Sequence, residues 1–215
     1  MNITVLRPRL IGCIDPISDI FVRIGLKPNQ ITVLSLGFGI ACSVCYMQCL
    51  FFLGSILLLI SSILDLIDGS VARKTNCKSD FGAVLDWIVD KYVDGIVLLG
   101  IGLSGSVSVS QFLLFPSWFD TATIGLAILG SLMNTFIKPV TYAEIGYNKK
   151  ENGKISDPLE GIGFFGRPET ILFLILFGFI SQVWIAVIFI AVCTNISALQ
   201  RIFYLARRYG TCPDP

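Results

Sequence analysis

The chain has 215 residues, 54% of them hydrophobic and 14% charged, with a formal net charge of +1 and a mean hydropathy of +0.78. A soluble domain carries about 25% charged residues, so the composition is that of a membrane protein, and with the near-zero charge no nucleic-acid partner is expected. There is no histidine, which removes Ser-His-Asp and Cys-His catalysis and leaves carboxylates, the ligands of hard cations such as Mg²⁺, Mn²⁺ or Ca²⁺.

Residues 1–29 carry charges throughout and no apolar run of signal-peptide length, so a cleaved leader is not expected. Within them, 8–22 mix Leu, Ile and Phe with Asp15, Asp19 and Arg9, the pattern of an amphipathic helix lying on the membrane, or of an ordered arm with no catalytic part. Six apolar stretches follow, at about 30–47, 50–73, 80–103, 121–143, 167–181 and 183–206, each compared with the roughly 20 residues that a bilayer core of about 30 Å requires. The connections near 48–50 and 181–182 are short. Lys and Arg cluster before the first stretch, between the second and third, between the fourth and fifth (Lys138, Lys149, Lys150, Lys154, Arg167) and at the end of the sixth. The other three connections have none, so the positive-inside rule predicts cytoplasmic N- and C-termini. The expected organisation is a juxtamembrane segment 1–29, a six-helix domain 30–210 and a tail 211–215.

Cys42 and Cys45 form a CxxC, but inside an apolar stretch and with no second CxxC. Gly37, Ala41, Cys45 and Cys49 fall four apart, a stripe of small residues suited to close helix packing.

Carboxylates collect where the second stretch ends and the third begins. Asp65 and Asp68, three apart, share a helix face; Gly82, Asp86, Asp90 and Asp94 form an i, i+4 stripe on the next helix. A short turn makes the two helices antiparallel, so the acidic faces can meet. Gly69 lies four after Asp65 and Ala72 four after Asp68, leaving room for a ligand to reach backbone. Converging carboxylates repel one another, and divalent metal resolves this by reversing the local field; four can serve two ions. Arg73 adds a permanent cation able to grip a phosphate bidentately. Two other readings stay open at this point: helix caps and ion pairs with Arg73, Lys74 and Lys91, or the carboxylate path of a membrane cation transporter.

The full string from Asp65 to Asp90, D-x2-D-G-x2-A-R-x8-G-x3-D-x3-D, resembles in every fixed position the signature of the CDP-alcohol phosphatidyltransferase family, and Pro28-Asn29-Gln30-Ile31-Thr32 resembles the P-N-x-I-T segment that opens its first span. The resemblance implies an all-α integral membrane fold of six transmembrane helices around a polar cavity facing the cytoplasm, and a homodimer. It implies Mg²⁺ or Mn²⁺, as two ions, on Asp65, Asp68, Asp86 and Asp90. Asp90 would also be the general base. Asn29, Thr32, Asp68, Gly69, Ala72, Arg73 and Gly82 would hold the CDP moiety of an activated lipid, CDP-diacylglycerol or CDP-archaeol. The acceptor hydroxyl would attack the β-phosphorus and release CMP. Asp94 lies outside the signature and is expected to be structural.

Asp90-Lys91-Tyr92-Val93-Asp94 resembles the D-R-Y-x-D run of archaeal-type inositol-phosphate synthases in that family, with Lys91 in place of Arg, and Gly166-Arg167-Pro168-Glu169 resembles their R-x-E segment. Thr141-Tyr142-Ala143-Glu144 follows their S-Y-x-R-A-x segment with the arginine missing. Lys138 and Arg167 would then bind the phosphate of the acceptor, inositol 1-phosphate first and glycerol 3-phosphate second. A membrane prenyltransferase also uses aspartate-rich helices, but without the G-x2-A-R insertion.

Overall fold

A computed structural model describes residues 7–145, 150–151, 154–155, 159 and 161–210. Lys149, Cys212 and the tail 211–215 lie outside the described residues. The elements are helices α1 (Arg7–Ile24), α2 (Pro28–Met47), α3 (Phe51–Lys74), α4 (Asp80–Leu103), α5 (Val109–Leu113), α6 (Trp118–Ile145), α7 (Arg167–Phe179) and α8 (Val183–Tyr209). Between α6 and α7, the two-residue strands β1 (Lys150–Glu151) and β2 (Lys154–Ile155) pair antiparallel.

The six predicted apolar stretches appear as α2, α3, α4, α6, α7 and α8. Four of them, α2, α3, α6 and α8, are long and apolar enough to cross a membrane, and the chain is an integral membrane protein. α4 is as long as α3 but carries Asp86, Asp90, Lys91 and Asp94. α7 has 13 residues, about 20 Å at 1.5 Å per residue. The N-terminal helix forms as the pattern predicts, while α5 and the strand pair are too short to leave a periodic signal.

Chain reversals follow from local chemistry. Pro28 occupies the first turn of α2, where its missing N–H costs nothing, and Gln30 Oε1 accepts from Lys27 N at 2.9 Å. Cys49 and Ser181 take positive φ, 59° and 57°, and make the two tight turns. Five residues, 75–79, join α3 to α4; Ser79 caps α4 by accepting from Gly82 N at 3.0 Å, a contact worth about 1 kcal/mol. α7 starts as α2 does, with the side chain three residues on reaching back: Glu169 Oε2 accepts from Gly166 N at 2.9 Å.

Packing makes α2 the central helix, set against both α3 and α4. Ser61 Oγ donates to Ser35 O at 2.8 Å and Ser43 Oγ to Ile96 O at 2.7 Å. A Cβ on Gly100 would come within 2.5 Å of Ser43 O, and one on Gly39 within 2.8 Å of Val93. The stripe that packs is therefore Ser35, Gly39 and Ser43. The predicted stripe of Gly37, Ala41, Cys45 and Cys49 is not the contact face: Gly37 and Cys49 are exposed, and nothing lies within 4 Å of a Cβ on Gly37. Both stripes have spacing four, and spacing alone cannot choose between faces two residues apart. Cys42 and Cys45 are free thiols.

One apolar core runs through α2 to α8. A second joins α1 to α2 and α3 through Ile14, Ile31, Leu64, Ile67 and Val71. The helices meet at two chemically different ends. At one, Tyr46 shares a hydrogen bond of 3.0 Å with Ser55, and Phe52 packs on Phe179. At the other gather the start of α2, the end of α3, the start of α4 and the start of α7, with most of the charges.

Candidate active site

The turn 75–79 brings the acidic faces of α3 and α4 together as predicted. One carboxylate oxygen each from Asp65, Asp86 and Asp90 lies within 4.8 Å of the others, all three half-buried. The donor set is all oxygen, so it fits a hard divalent cation. Asp68 is buried and turned to α2, where its Oδ2 accepts from Thr32 Oγ1 at 2.5 Å; Asp86 and Asp65 remain close enough to interact with it electrostatically. Thr32 and Asp68, predicted for the same CDP subsite, are thus direct partners.

Arg167 enters this group from the first turn of α7. Its Nη1 donates to Asp65 Oδ2 at 3.0 Å, and its Nη2 stands 2.8 Å from Asp90 Oδ1 as an ion pair outside hydrogen-bond geometry. Its Nε lies 3.4 Å from Asp94 Oδ1. Asp94 Oδ2 in turn accepts from Lys91 Nζ at 2.8 Å and from Ser131 Oγ at 3.3 Å, and Lys91 also donates to Thr135 Oγ1 at 3.0 Å. Asp65, Asp90 and Asp94 share the one guanidinium of Arg167, and Asp94 also holds Lys91. Three carboxylate oxygens this close together, from Asp65, Asp86 and Asp90, favour a divalent cation between them.

The remaining predicted residues frame the same end. Gly82 faces α2 so closely that a Cβ would lie 3.0 Å from Asn29 Oδ1 and from Ser79 Oγ. Gly69 differs: a Cβ there would meet only Arg73 Nη1, at an ordinary 3.6 Å, so packing inside the chain does not require glycine. Ala72 is half-buried and Arg73 exposed. One Arg73 N–H is used, Nη2 donating to Ser70 Oγ at 2.9 Å, and Ser70 donates on to Asp15 Oδ1 of α1 at 3.3 Å. Beside Asn29 an open groove of about 500 Å³ is lined by Asn29, Gln30, Val33, Phe81 and Leu85. Lys138 sits one turn beyond Thr135 on α6 and is half-buried.

Among the described residues, the signature aspartates Asp65 and Asp90 pair with Arg167 rather than with Arg73 or Lys74. Lys74 binds Asp19 at 2.6 Å and Asp15 at 3.5 Å, and Lys91 binds Asp94. Sequence reasoning missed Ser131 and Thr135, which fall with Lys138 on an i, i+4, i+7 stripe of an otherwise apolar helix. It also missed the residues that seat α7. Asn134 Nδ2 donates to Phe165 O at 2.8 Å, Ser197 Oγ accepts from Phe165 N at 2.9 Å, and Arg201 Nε donates to Ile162 O at 2.9 Å while its Nη1 donates to Asn134 O. These contacts fix the segment before Arg167 from α6 and α8. A buried Arg and Asn in apolar helices were the available signal.

The chain is similar over most of its length to known proteins. The model of the family described as CDP-alcohol phosphatidyltransferase matches residues 26–197. An archaetidylinositol phosphate synthase of Pyrococcus horikoshii is 27% identical over 203 residues, which cover 94% of this chain and 96% of that protein. Among solved structures, Mycobacterium tuberculosis phosphatidylinositol phosphate synthase with CDP-DAG bound superposes with a TM-score of 0.71 at 22% identity, covering 90% of this chain and 93% of that one. The same enzyme with manganese and citrate gives a TM-score of 0.70 at 22% identity, with 88% and 87% covered. At that identity the likeness establishes the fold.

Proposed function

The chain belongs to the CDP-alcohol phosphatidyltransferase family, and we propose that it moves a substituted phosphate from a CDP-activated lipid to the hydroxyl of a phosphorylated alcohol, with inositol 1-phosphate as first acceptor and glycerol 3-phosphate as second. The observation that carries the acceptor class is the placement of Arg167 and Lys91 at the edge of the aspartate cluster. A phosphorylated acceptor needs cations there and a free alcohol does not. The name of the Pyrococcus relative supports inositol phosphate within that class. Family membership replaces the transporter alternative.

Asp65, Asp86 and Asp90 would hold Mg²⁺ or Mn²⁺, as two ions with Asp68 beside them. Bound metal would neutralise charge on the donor's pyrophosphate and on the departing CMP. Asn29, Thr32, Gly69, Ala72, Arg73 and Gly82 form the donor's side. Arg73 keeps guanidinium N–H groups for phosphate, and Gly69 lets the nucleotide approach the backbone. The apolar wall of Val33, Phe81 and Leu85 suits the lipid part of CDP-archaeol or CDP-diacylglycerol. Asp90 takes the proton from the acceptor hydroxyl, whose oxygen attacks the β-phosphorus as the bond to CMP breaks. Arg167, 2.8 Å from Asp90, orients the acceptor by its phosphate, so positioning supplies most of the rate. In this reading α4 and α7 also lie in the bilayer, giving six spans around a cytoplasmic cavity, with both termini cytoplasmic and the enzyme a homodimer.

The test is CMP release by the purified protein with each acceptor offered separately: inositol 1-phosphate, glycerol 3-phosphate, serine and free inositol. Release with a phosphorylated acceptor alone supports the reading. Release with serine or free inositol alone overturns the acceptor class.

A further inference from the structure

Asp94 is the most buried carboxylate on α4, 3% exposed, and neither the signature nor the mechanism above uses it. Its two oxygens are engaged from three helices. Oδ1 faces Arg167 Nε of α7 at 3.4 Å, and Oδ2 meets Lys91 Nζ of α4 at 2.8 Å and Ser131 Oγ of α6 at 3.3 Å. A purely structural ion pair needs one cation, whereas Asp94 holds two, and on different oxygens.

The direction in which it holds them matters. Contact at Nε leaves the other edge of the guanidinium, Nη1 and Nη2, aimed at Asp65 and Asp90. Two parallel N–H groups on that edge can exchange a carboxylate for a phosphate oxyanion, since both accept bidentately. Lys91, three residues before Asp94, is drawn to the same side and stays within 3.0 Å of Thr135 Oγ1. The backbone under Arg167 is fixed separately, by Glu169, Asn134, Ser197 and Arg201. Asp94 therefore governs where the side chain points rather than whether α7 forms. The geometry points to Asp94 as the positioning residue that aligns Arg167 and Lys91 into a paired cation cradle for the acceptor's phosphate. This inference rests on the phosphorylated-acceptor reading.

The test uses the full chain in detergent, with separate KM values for acceptor and CDP-lipid and a Mn²⁺ titration. Asp94→Asn keeps the size and the contact with Ser131 but removes the charge. It should raise the KM for the phosphorylated acceptor about tenfold or more, with donor KM and Mn²⁺ affinity within about twofold of the parent, and Asp94→Glu should recover part of the loss. An unchanged acceptor KM, or a parallel loss of donor and Mn²⁺ binding in a folded protein, overturns the inference. Where Asp94→Asn does not fold, Lys91→Gln serves: it should raise acceptor KM alone, and an unchanged value overturns the cradle. If the parent enzyme itself uses only an unphosphorylated acceptor, the acceptor reading fails, and the cradle with it. If the parent uses a phosphorylated one and neither variant alters its KM, the cradle alone fails.

Discussion

Arg167 Nη2 and Asp90 Oδ1 stand 2.8 Å apart, so the cation assigned to the acceptor and the carboxylate assigned as base are immediate neighbours, brought together from α7 and α4. The guanidinium also donates to Asp65, so it partly neutralises two of the three carboxylates proposed to hold the metal. In that reading, arginine and metal compete for the same charge.

Arg167→Gln follows from that competition. Removing the guanidinium should lower turnover with the phosphorylated acceptor by about 10²-fold, the loss of a bidentate charged contact at the reacting centre. Mn²⁺ should bind at least as tightly as before, because Asp65 and Asp90 lose their counter-ion. A Mn²⁺ titration followed by electron paramagnetic resonance reads this directly; weaker binding would show that Arg167 supports the metal site instead of opposing it.

Asp90→Asn removes the proposed base while keeping its shape. Turnover should fall by about 10²–10⁴-fold, with CDP binding largely kept through residues on α2, α3 and the start of α4. Comparable specific activity in this variant would contradict the assignment.

Asp68→Asn tests a residue set apart from the other three. Its partner Thr32 lies 2.5 Å away on α2, so the substitution should leave the fold intact yet abolish activity and metal dependence together. An unchanged metal titration would assign Asp68 to the donor's side alone.

Gly69→Ala separates packing from binding. A Cβ there meets Arg73 Nη1 at 3.6 Å, an ordinary contact, and alanine favours helix by about 1 kcal/mol over glycine. Thermal stability should hold or rise while donor KM increases. A fall in stability with unchanged donor KM would make Gly69 a packing residue.

Gly100→Ala and Gly37→Ala should part company. The added methyl at Gly100 meets Ser43 O at 2.5 Å, and forcing apart α2 and α4 should cost about 1–3 kcal/mol. At Gly37, with nothing within 4 Å, stability in detergent should be unchanged or slightly better.

Much of this architecture was legible in the sequence because a bilayer imposes one length and polarity on each helix. The Asp65–Asp90 string could be read because i, i+3 and i, i+4 spacing places side chains on one face; Asp65, Asp86 and Asp90 do converge, while Asp68 turns to Thr32 of α2. What one helix's periodicity could not supply was the partner across the interface. Gly39 and Gly37 are equally small, and only the position of Val93 shows which one packs. Asp94 looked like a spare member of the acidic stripe until α6 and α7 brought Ser131 and Arg167 to it. The roles of Arg201 and Asn134 could not be read because the segment they hold, ending at Phe165, lies far away in sequence.

The most direct test of the account is the lipid product itself. The purified chain, given CDP-archaeol or CDP-diacylglycerol with inositol 1-phosphate and Mg²⁺, should form a phosphodiester that retains the acceptor's phosphate, identified by mass spectrometry, with one CMP released per product. Chelating the metal or substituting Asp90→Asn should stop it. Product formation unaffected by chelation, or no product from any phosphorylated acceptor in a preparation that binds CDP, would contradict the account.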